Sequence, residues 1–310
     1  MTNAGWQRWL VAAQLAGAAG WAVWLWPHSP AWAIVGAGLW LLGPRLWLGL
    51  QFVLMLRANR GGPVPAPPAA RVLRAWWAET QWAGRVFGWW QPFRHAAVPD
   101  WLPPAPAKGA DPDPAPAPRG VVLVHGFLCN RGFWMPWFAL LRRRGHAFAA
   151  VTLEPPFGAI DGYAATIDAA VQRVADATGR PPVVIGHSMG GLAVRAWLRQ
   201  CGASGIGRVH RVITLGTPHA GTEAARFSRS DNGRQMVPGH PWLEALAASE
   251  APGARARFTC FYSDCDNVVY PAATATLAGA DNRLVTGAAH VHMAFHPDVV
   301  RACLEIAAQP

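Results

Sequence analysis

Two long apolar runs dominate the start of the chain. Residues 9–26 and 31–56 are almost free of charge, and the turn-like segment Pro27-His28-Ser29-Pro30 separates them. About twenty apolar residues are enough for a helix to cross the hydrocarbon core of a bilayer. The pattern therefore predicts a transmembrane helical hairpin within residues 1–60. A buried helical hairpin is the alternative, whereas a cleaved signal peptide would explain the first run alone.

Pro44 and Arg45 interrupt the second run. A charge inside a bilayer is unfavourable unless its side chain reaches the interface, finds a partner, or marks a break in the helix. Arg8 precedes the first run, and Arg57 and Arg60 follow the second, so the positive-inside rule places both flanks in the cytoplasm. We expect an integral protein of the bacterial inner membrane with its remaining chain on the cytoplasmic side. A re-entrant segment at Pro44 would invert this orientation.

Two further segments precede the rest of the chain. Residues 61–98 mix arginine with tryptophan and phenylalanine, which predicts an amphipathic helical segment lying on the membrane surface or packed on the following domain. Residues 99–118 are rich in proline and alanine, and this composition predicts a semi-rigid linker. We place the domain boundary in this linker and the folded domain in residues 119–310.

Short apolar runs alternate with helical patterns after residue 119, and such alternation predicts an α/β fold with a mostly parallel sheet between helices. The predicted strands are residues 121–124, 148–151, 183–185, 212–215, 258–262 and 284–285. The predicted helices are residues 133–144, 162–178, 192–200 and 298–308.

The charge of the chain narrows its partners. The formal net charge is +10, which favours either nucleic acid or an anionic membrane surface. No zinc-finger or RNA-binding pattern accompanies the charge, and most tryptophans lie in the N-terminal third, where they favour a bilayer interface. We therefore expect the membrane as partner and no nucleic acid. The five cysteines are scattered without CxxC spacing, which is typical of reduced thiols.

A glycine-flanked serine follows the predicted strand at 183–185, in the segment Gly186-His187-Ser188-Met189-Gly190-Gly191. The pattern G-x-S-x-G is typical of a nucleophile elbow, in which glycines let a strand and a helix approach closely while the serine is held at the edge of the sheet. The motif predicts Ser188 as a nucleophile, with Gly186 and Gly190 as the elbow glycines. A chance surface turn is the alternative.

With this elbow, the chain from Arg119 to its end resembles the α/β-hydrolase superfamily, and more narrowly its bacterial lipases and esterases. The resemblance also rests on His125-Gly126-Phe127, on the segment 216–222 (GTPHAGT), on Asp266-Asn267-Val268-Val269 and on His290, in this order. The first two strands of the family's sheet have no match before Arg119. The resemblance therefore implies a minimal α/β-hydrolase fold.

The resemblance implies a Ser-His-Asp acyl-enzyme mechanism with Ser188, His290 and Asp266 in the order that this fold requires. Asp264 is a rival for the acid, and His292 and His296 are rivals for the base. Three histidines so close could also suggest a metal, but no carboxylate or cysteine partner stands at ligand spacing. We therefore expect no metal and no cofactor.

Two backbone amides would complete such a site. The N–H groups of Phe127 and Met189 are expected to form the oxyanion hole that stabilises the tetrahedral intermediate. The insert at residues 220–253 carries apolar side chains between glycines and prolines, and it resembles a lipase cap or lid, with an ordinary loop as the alternative.

The function expected from all these features is a membrane-anchored carboxylic ester hydrolase that cleaves acyl esters of a lipid-like substrate. An acyltransferase on the same fold and a catalytically silent membrane scaffold are the alternatives.

Overall fold

The computed structural model describes residues 1–103, 118–250 and 253–309. Most of the predicted linker at 99–118, and two residues of the insert at 220–253, lie outside the described residues. The described α-helices are α1 (Asn3–Leu25), α2 (Pro30–Ala58), α3 (Ala69–Arg85), α4 (Met135–Arg143), α5 (Ala164–Thr178), α6 (Met189–Cys201), α7 (Asp231–Gln235), α8 (Pro241–Ala248), α9 (His290–Met293) and α10 (Pro297–Ala307). A π-helix, Val86–Arg94, continues α3.

A parallel sheet forms the centre of the C-terminal domain, which we define as the described residues from 118 onward. Its strands are β1 (Val121–Val124), β2 (Phe148–Ala150), β3 (Val183–His187), β4 (Arg211–Leu215), β5 (Phe258–Tyr262) and β6 (Asp281–Leu284). Their spatial order is β2-β1-β3-β4-β5-β6, and all neighbouring pairs are parallel. The predicted α/β class agrees with this sheet, and among the residues that the structure describes no strand precedes β1.

The sheet carries its apolar side chains on both faces, because helices cover both. Every residue of β1 and β3 is buried, which explains why these strands are continuous apolar runs rather than alternating ones. One core cluster includes residues of α5, α6 and α8, and another includes residues of α4 and α10. Parallel strands bring their carboxyl ends to one edge of the sheet, and that edge receives the loops described below.

Helices α1 and α2 pack against each other as an antiparallel pair at the start of the chain. Gly36 lies against the indole of Trp21, because a Cβ at Gly36 would stand 1.7 Å from Trp21 Nε1. Most other large apolar side chains of this hairpin are exposed. Among the described residues, only α2 is long and apolar enough to cross a membrane, and 11% of its most apolar window is buried. Of the two predicted membrane spans, the second therefore has a candidate helix among the described residues.

Helix α3 packs one face on the C-terminal domain. Ala75 and Glu79 of this face are 1% exposed, and Val86 of the π-helix that follows is fully buried, whereas Leu73 and Trp77 of α3 are exposed. Packing on the following domain, one of the two alternatives for residues 61–98, is therefore present.

The insert at 220–253 forms two short helices, α7 and α8. Met236, Leu243 and Leu246 are buried in the core cluster that also holds Ile160 of the loop before α5. Phe227 of the same insert is 80% exposed. The lid expected at residues 220–253 stays a prediction.

Candidate active site

Ser188 stands at the sharp turn between β3 and α6. Its backbone adopts a φ of 55° and a ψ of −130°, a strained conformation for a residue that carries a side chain. The strain is held by neighbours: Ser188 N–H donates to Leu215 O at 2.9 Å, and Thr217 Oγ1 donates to Ser188 O at 2.9 Å. The backbone therefore fixes the direction of the serine side chain.

The elbow glycines are required by close backbone contacts. A Cβ at Gly190 would stand 2.5 Å from His125 O, and a Cβ at Gly186 would stand 2.8 Å from the Cα of Gly191. Distances under 3.0 Å leave no room for a side chain, so strand and helix can meet at this distance only with glycine here. Both predicted elbow glycines thus lie where the turn is tightest.

His290 and Asp266 meet at the carboxyl edge of the sheet. His290 Nδ1 lies 3.0 Å from both carboxylate oxygens of Asp266, and both side chains are buried. Asp266 Oδ1 also accepts the N–H groups of Val268 and Val269 at 2.9 and 2.8 Å. These bonds fix the carboxylate, which in turn orients the imidazole with Nε2 free for another partner.

The rival residues have other partners. Asp264 forms an ion pair with Arg71 of α3 at 2.8 Å and accepts the N–H of Gly287 at 2.7 Å. Burial lowers the pKa of His292 to about 4, and within the described residues its Nδ1 has no hydrogen-bond partner. His296 Nδ1 lies 3.9 Å from Asp298. Of the predicted acids and bases, the structure therefore brings together Asp266 and His290.

The electrostatics of His290 suit a group that gains a proton. Burial lowers the pKa of His290. The charge and hydrogen bond of Asp266, together with the charge of Glu79, raise this pKa by more than burial lowers it, so the net shift is upward from 6.5. The neighbouring ring of His187 lies 4.6 Å away, and burial together with the charge of His290 holds the pKa of His187 well below 6.5. His187 therefore stays neutral beside an imidazole that can become charged.

The loop after β1 lies against Ser188. A Cβ at Gly126 would stand 2.7 Å from the Cβ of Ser188, so this loop passes directly beside the nucleophile candidate. Phe127 follows in the loop and Met189 opens α6, and within the described residues no acceptor pairs with the N–H of Phe127. Leu128, the next residue of this loop, adopts a φ of 57° in the left-handed region. The two predicted amides therefore flank Ser188 on separate elements.

A cavity of about 600 Å³ opens above Ser188 and His290. Its floor is formed by residues of the C-terminal domain, including Phe127, His187 and Val268. Its walls and roof come from α1, α2, α3 and the π-helix, through Leu10, Val11, Leu41, Leu48, Ala83 and Phe87 among others. An apolar chamber thus lies directly over the predicted site residues.

Three polar residues of the N-terminal helices reach the loops of the site, and sequence reasoning did not single them out. Gln7 of α1 donates to Leu128 O at 2.7 Å. Gln51 of α2 accepts from Asn267 Nδ2 at 2.8 Å, and Asn267 Oδ1 in turn accepts the N–H of His290 at 3.1 Å. A lone amide in an apolar run was the available signal, since such a group needs a partner when buried.

Glu79 is the third of these residues. Its carboxyl group accepts the N–H groups of Val291 and His292, which follow His290 at the start of α9, at 3.0 and 2.9 Å. Burial raises the pKa of Glu79 to about 7, although those two backbone hydrogen bonds and the charge of His290 lower it. Glu79 therefore holds the backbone next to His290 with a carboxyl group whose pKa is about 7.

Across the described part of the chain, no three His, Cys, Asp or Glu side chains lie together in a group that could hold a metal ion. The groups that the structure brings to the cavity include the hydroxyl of Ser188 and the imidazole of His290, whose partner is the carboxylate of Asp266.

Comparison with known proteins agrees with this architecture. The model of the alpha/beta hydrolase family matches residues 121–303. Lipase BlEst2 of Bacillus licheniformis in its mature form aligns with a TM-score of 0.56 and 18% sequence identity over 64% of this chain and 95% of that chain. Its propeptide form aligns with a TM-score of 0.55 and 18% identity over 67% of this chain and 52% of that chain. Among curated proteins, none matches the sequence.

The two solved structures share the fold with this chain, and the family model spans more than half of its length. The chain therefore belongs to the alpha/beta hydrolase family.

Proposed function

We propose that this protein is a serine esterase or lipase that cleaves acyl esters of a lipid-like substrate and is anchored in the membrane by α1 and α2. The observation that carries the proposal is the shared cavity: Ser188 and His290 both line it, and Asp266 is hydrogen-bonded to His290. Family membership supports hydrolysis, and the apolar lining of the cavity supports an acyl chain as the group that it binds.

The reaction divides into two steps. Ser188 Oγ attacks the acyl carbonyl carbon while His290 takes the hydroxyl proton, and the negative charge on the carbonyl oxygen is stabilised by the amides of Phe127 and Met189. The ester C–O bond then breaks, the alcohol leaves with the proton from His290, and an acyl-serine remains. Water attacks the acyl-serine in the same way, so that the carboxylic acid is released and Ser188 is restored. Asp266 orients His290 and stabilises its charged form throughout.

The membrane part of the proposal rests on exposed apolar surface. Trp9, Trp24, Trp32 and Leu46 of the hairpin are each more than half exposed, an arrangement that is costly in water and favourable in lipid. Both ends of the hairpin contact the C-terminal domain, so its tip at Pro27 points away from that domain. With the flanking arginines, this supports an inner-membrane protein whose catalytic domain lies on the cytoplasmic side.

Acyl transfer is the second candidate, and the apolar chamber favours it because such a chamber limits water at the acyl-enzyme. An acceptor alcohol would then take the place of water in the second step. Products formed in the presence of added glycerol separate the two outcomes, since transfer yields a new ester and hydrolysis yields free acid.

Labelling with a fluorophosphonate tests the nucleophile. Detergent-solubilised full-length protein is expected to bind the probe covalently at Ser188, and Ser188→Ala should not react. Ser263→Ala, which changes a buried serine outside the cavity, serves as the matched control and should label like the parent protein. Labelling that persists in Ser188→Ala would contradict the proposal.

A further inference from the structure

Arg45 is the feature of the sequence that the proposed function does not use. It lies in the middle of α2, directly after Pro44, and lines the cavity that holds Ser188 and His290. Among the described residues that line this cavity, it is the only arginine or lysine. No described side chain forms an ion pair or accepts a hydrogen bond from its guanidinium group. Arg45 is exposed in the structure, so its guanidinium needs a partner only where α2 lies in lipid.

The packing of α2 shows at what depth Arg45 lies. The C-terminal part of the helix is held on the C-terminal domain, since Phe52 is 2% exposed and Met55 is fully buried. Only the part from Pro30 to about Trp47 projects from the protein. Trp32 and Trp47, both exposed, are fifteen positions apart, or about 22 Å at 1.5 Å per residue. This distance is shorter than the hydrocarbon core of a bilayer, which is about 30 Å thick, so the two tryptophans do not mark both interfaces.

Arg45 lies two residues before Trp47, near the end of this exposed part of α2 that is closer to the C-terminal domain. If that part of α2 lies in lipid, as the proposed function has it, the long side chain of Arg45 can extend toward the headgroup phosphates on that side of the bilayer.

The backbone at Arg45 is held in place by side chains of the two neighbouring helices. Pro44 lacks the N–H that would bond to Trp40 O, and Gln14 of α1 donates to that carbonyl at 3.2 Å instead. Trp76 of α3 donates through Nε1 to Arg45 O at 3.1 Å. The bond from Gln14 satisfies the Trp40 carbonyl that the proline leaves without a helical partner. The bond from Trp76 holds the Arg45 carbonyl, so the backbone at Arg45 is fixed relative to α1 and α3.

Contacts within the same helix connect Arg45 with the loop that carries Asp266. Gln51 lies six positions further along α2, about 9 Å down the axis, and contacts Asn267 next to Asp266. Glu79, the carboxyl group that lines the same cavity, is engaged by the backbone of α9 and does not pair with Arg45. The cavity therefore has a cation near its membrane end, a nucleophile at its base and apolar walls between them.

We propose that Arg45 binds the phosphate of a glycerophospholipid whose acyl ester lies at Ser188. This rests on the proposed function and names its substrate class. A guanidinium donates paired hydrogen bonds to phosphate oxygens, and a glycerophospholipid carries its phosphate on the same glycerol as its acyl esters. The lipid enters from the leaflet with its acyl chain along the apolar walls and its headgroup at Arg45.

Binding to an inactive enzyme tests this without turnover. The full-length Ser188→Ala protein in detergent micelles is titrated with dioleoyl phosphatidic acid and with dioleoylglycerol, which differ by the phosphate alone. Adding Arg45→Gln is expected to weaken binding of phosphatidic acid about tenfold, a modest value for a lost charged hydrogen bond, and to leave dioleoylglycerol unchanged. Arg57→Gln is the matched control, because Arg57 is on the same helix but outside the cavity lining. Arg45→Lys should recover part of the affinity.

Equal binding of the two lipids to the parent protein would overturn the proposal, as would equal losses in Arg45→Gln and Arg57→Gln. Inorganic phosphate, which has no acyl chain, should not displace phosphatidic acid at equal concentration, and displacement would mean that the site binds a free anion. A parent protein that cleaves no ester and is not labelled at Ser188 would refute the proposed function alone. The binding experiment would still decide the role of Arg45.

Discussion

Glu79 of α3 accepts hydrogen bonds from the N–H groups of Val291 and His292, the two residues that follow His290 in α9. Glu79 and His290 are separated by most of the chain, and Glu79 lies in the segment that precedes the family match. A carboxyl group from outside the residues that match the family thus holds the backbone next to His290. Its charge is one of the influences that raise the pKa of His290.

Glu79→Gln should therefore move the acid limb of the pH profile of kcat/KM to lower pH. Only neutral His290 can take the proton of Ser188, so activity rises as pH passes the pKa of His290, which is raised above 6.5. Glu79 is ionised above about pH 7, and its negative charge favours the imidazolium. Without that charge the pKa of His290 falls, and activity begins at lower pH. Ester hydrolysis measured from pH 5 to 9 checks this.

Glu244→Gln provides the control for this profile, because Glu244 is exposed on α8 and outside the cavity lining. An acid limb that moves to higher pH in Glu79→Gln would show that Glu79 does not act on His290 through its charge.

His290→Ala is expected to lower kcat by roughly 10⁴-fold or more, as removal of a catalytic base does in serine hydrolases. His292→Ala should keep most of the activity, because its ring has no contact with Asp266. Steady-state hydrolysis of a soluble short-chain ester compares the two variants. If His290→Ala kept its activity while His292→Ala lost it, the assignment of His290 as the base would be wrong.

Asp266→Asn should reduce kcat by a similar factor, roughly 10⁴-fold, since an amide at this position favours the wrong tautomer of the imidazole. Asp264→Asn is the comparison that the chain itself offers. It removes the ion pair with Arg71 and is expected to weaken attachment of α3, which lowers thermal stability while kcat is largely retained. If kcat fell more in Asp264→Asn than in Asp266→Asn, the carboxylate assignment would be wrong.

Gly216→Ala should impair catalysis by crowding the site. A Cβ at Gly216 would stand 2.8 Å from Asp266 Oδ2 and 3.2 Å from His290 Nδ1. A displacement of this size near reacting groups lowers turnover by roughly 100-fold. Gly239→Ala is the matched control: its φ of 74° is also positive, but no atom lies within 4 Å of its added Cβ. Gly239→Ala should keep the turnover of the parent protein, and an equal turnover of Gly216→Ala would contradict the crowding argument.

Much of the fold follows from local patterns in the sequence. The apolar runs at β1, β3 and β5 predict buried strands because both faces of the sheet are covered. The edge strand β6 begins at Asp281, earlier than predicted, because all of its residues are exposed and no apolar pattern marks it. The helix after the elbow begins at Met189, earlier than predicted. Gly190 and Gly191 are needed for close packing, but glycine has a low helix propensity, so the sequence does not indicate a helix there.

The walls of the cavity could not be predicted from the sequence in the same way. The insert at 220–253 and the helices at the start of the chain have similar apolar patterns, and only tertiary packing shows that residues of α1, α2 and α3 line the cavity above Ser188. The proximity of Gln7, Gln51 and Glu79 to the loops of the site depends on contacts across more than a hundred residues, which no local pattern records. The meeting of Asp266 with His290, by contrast, was predicted from the order of motifs, and its catalytic role stays a prediction.

The hydrogen bond from Gln7 to Leu128 O connects α1 with the loop that follows β1. The amide of Phe127, proposed for the oxyanion hole, belongs to that same loop. Its position therefore depends on a helix that the family match does not include. If the proposed function is right, the N-terminal hairpin contributes to the geometry of the reaction as well as to attachment to the membrane.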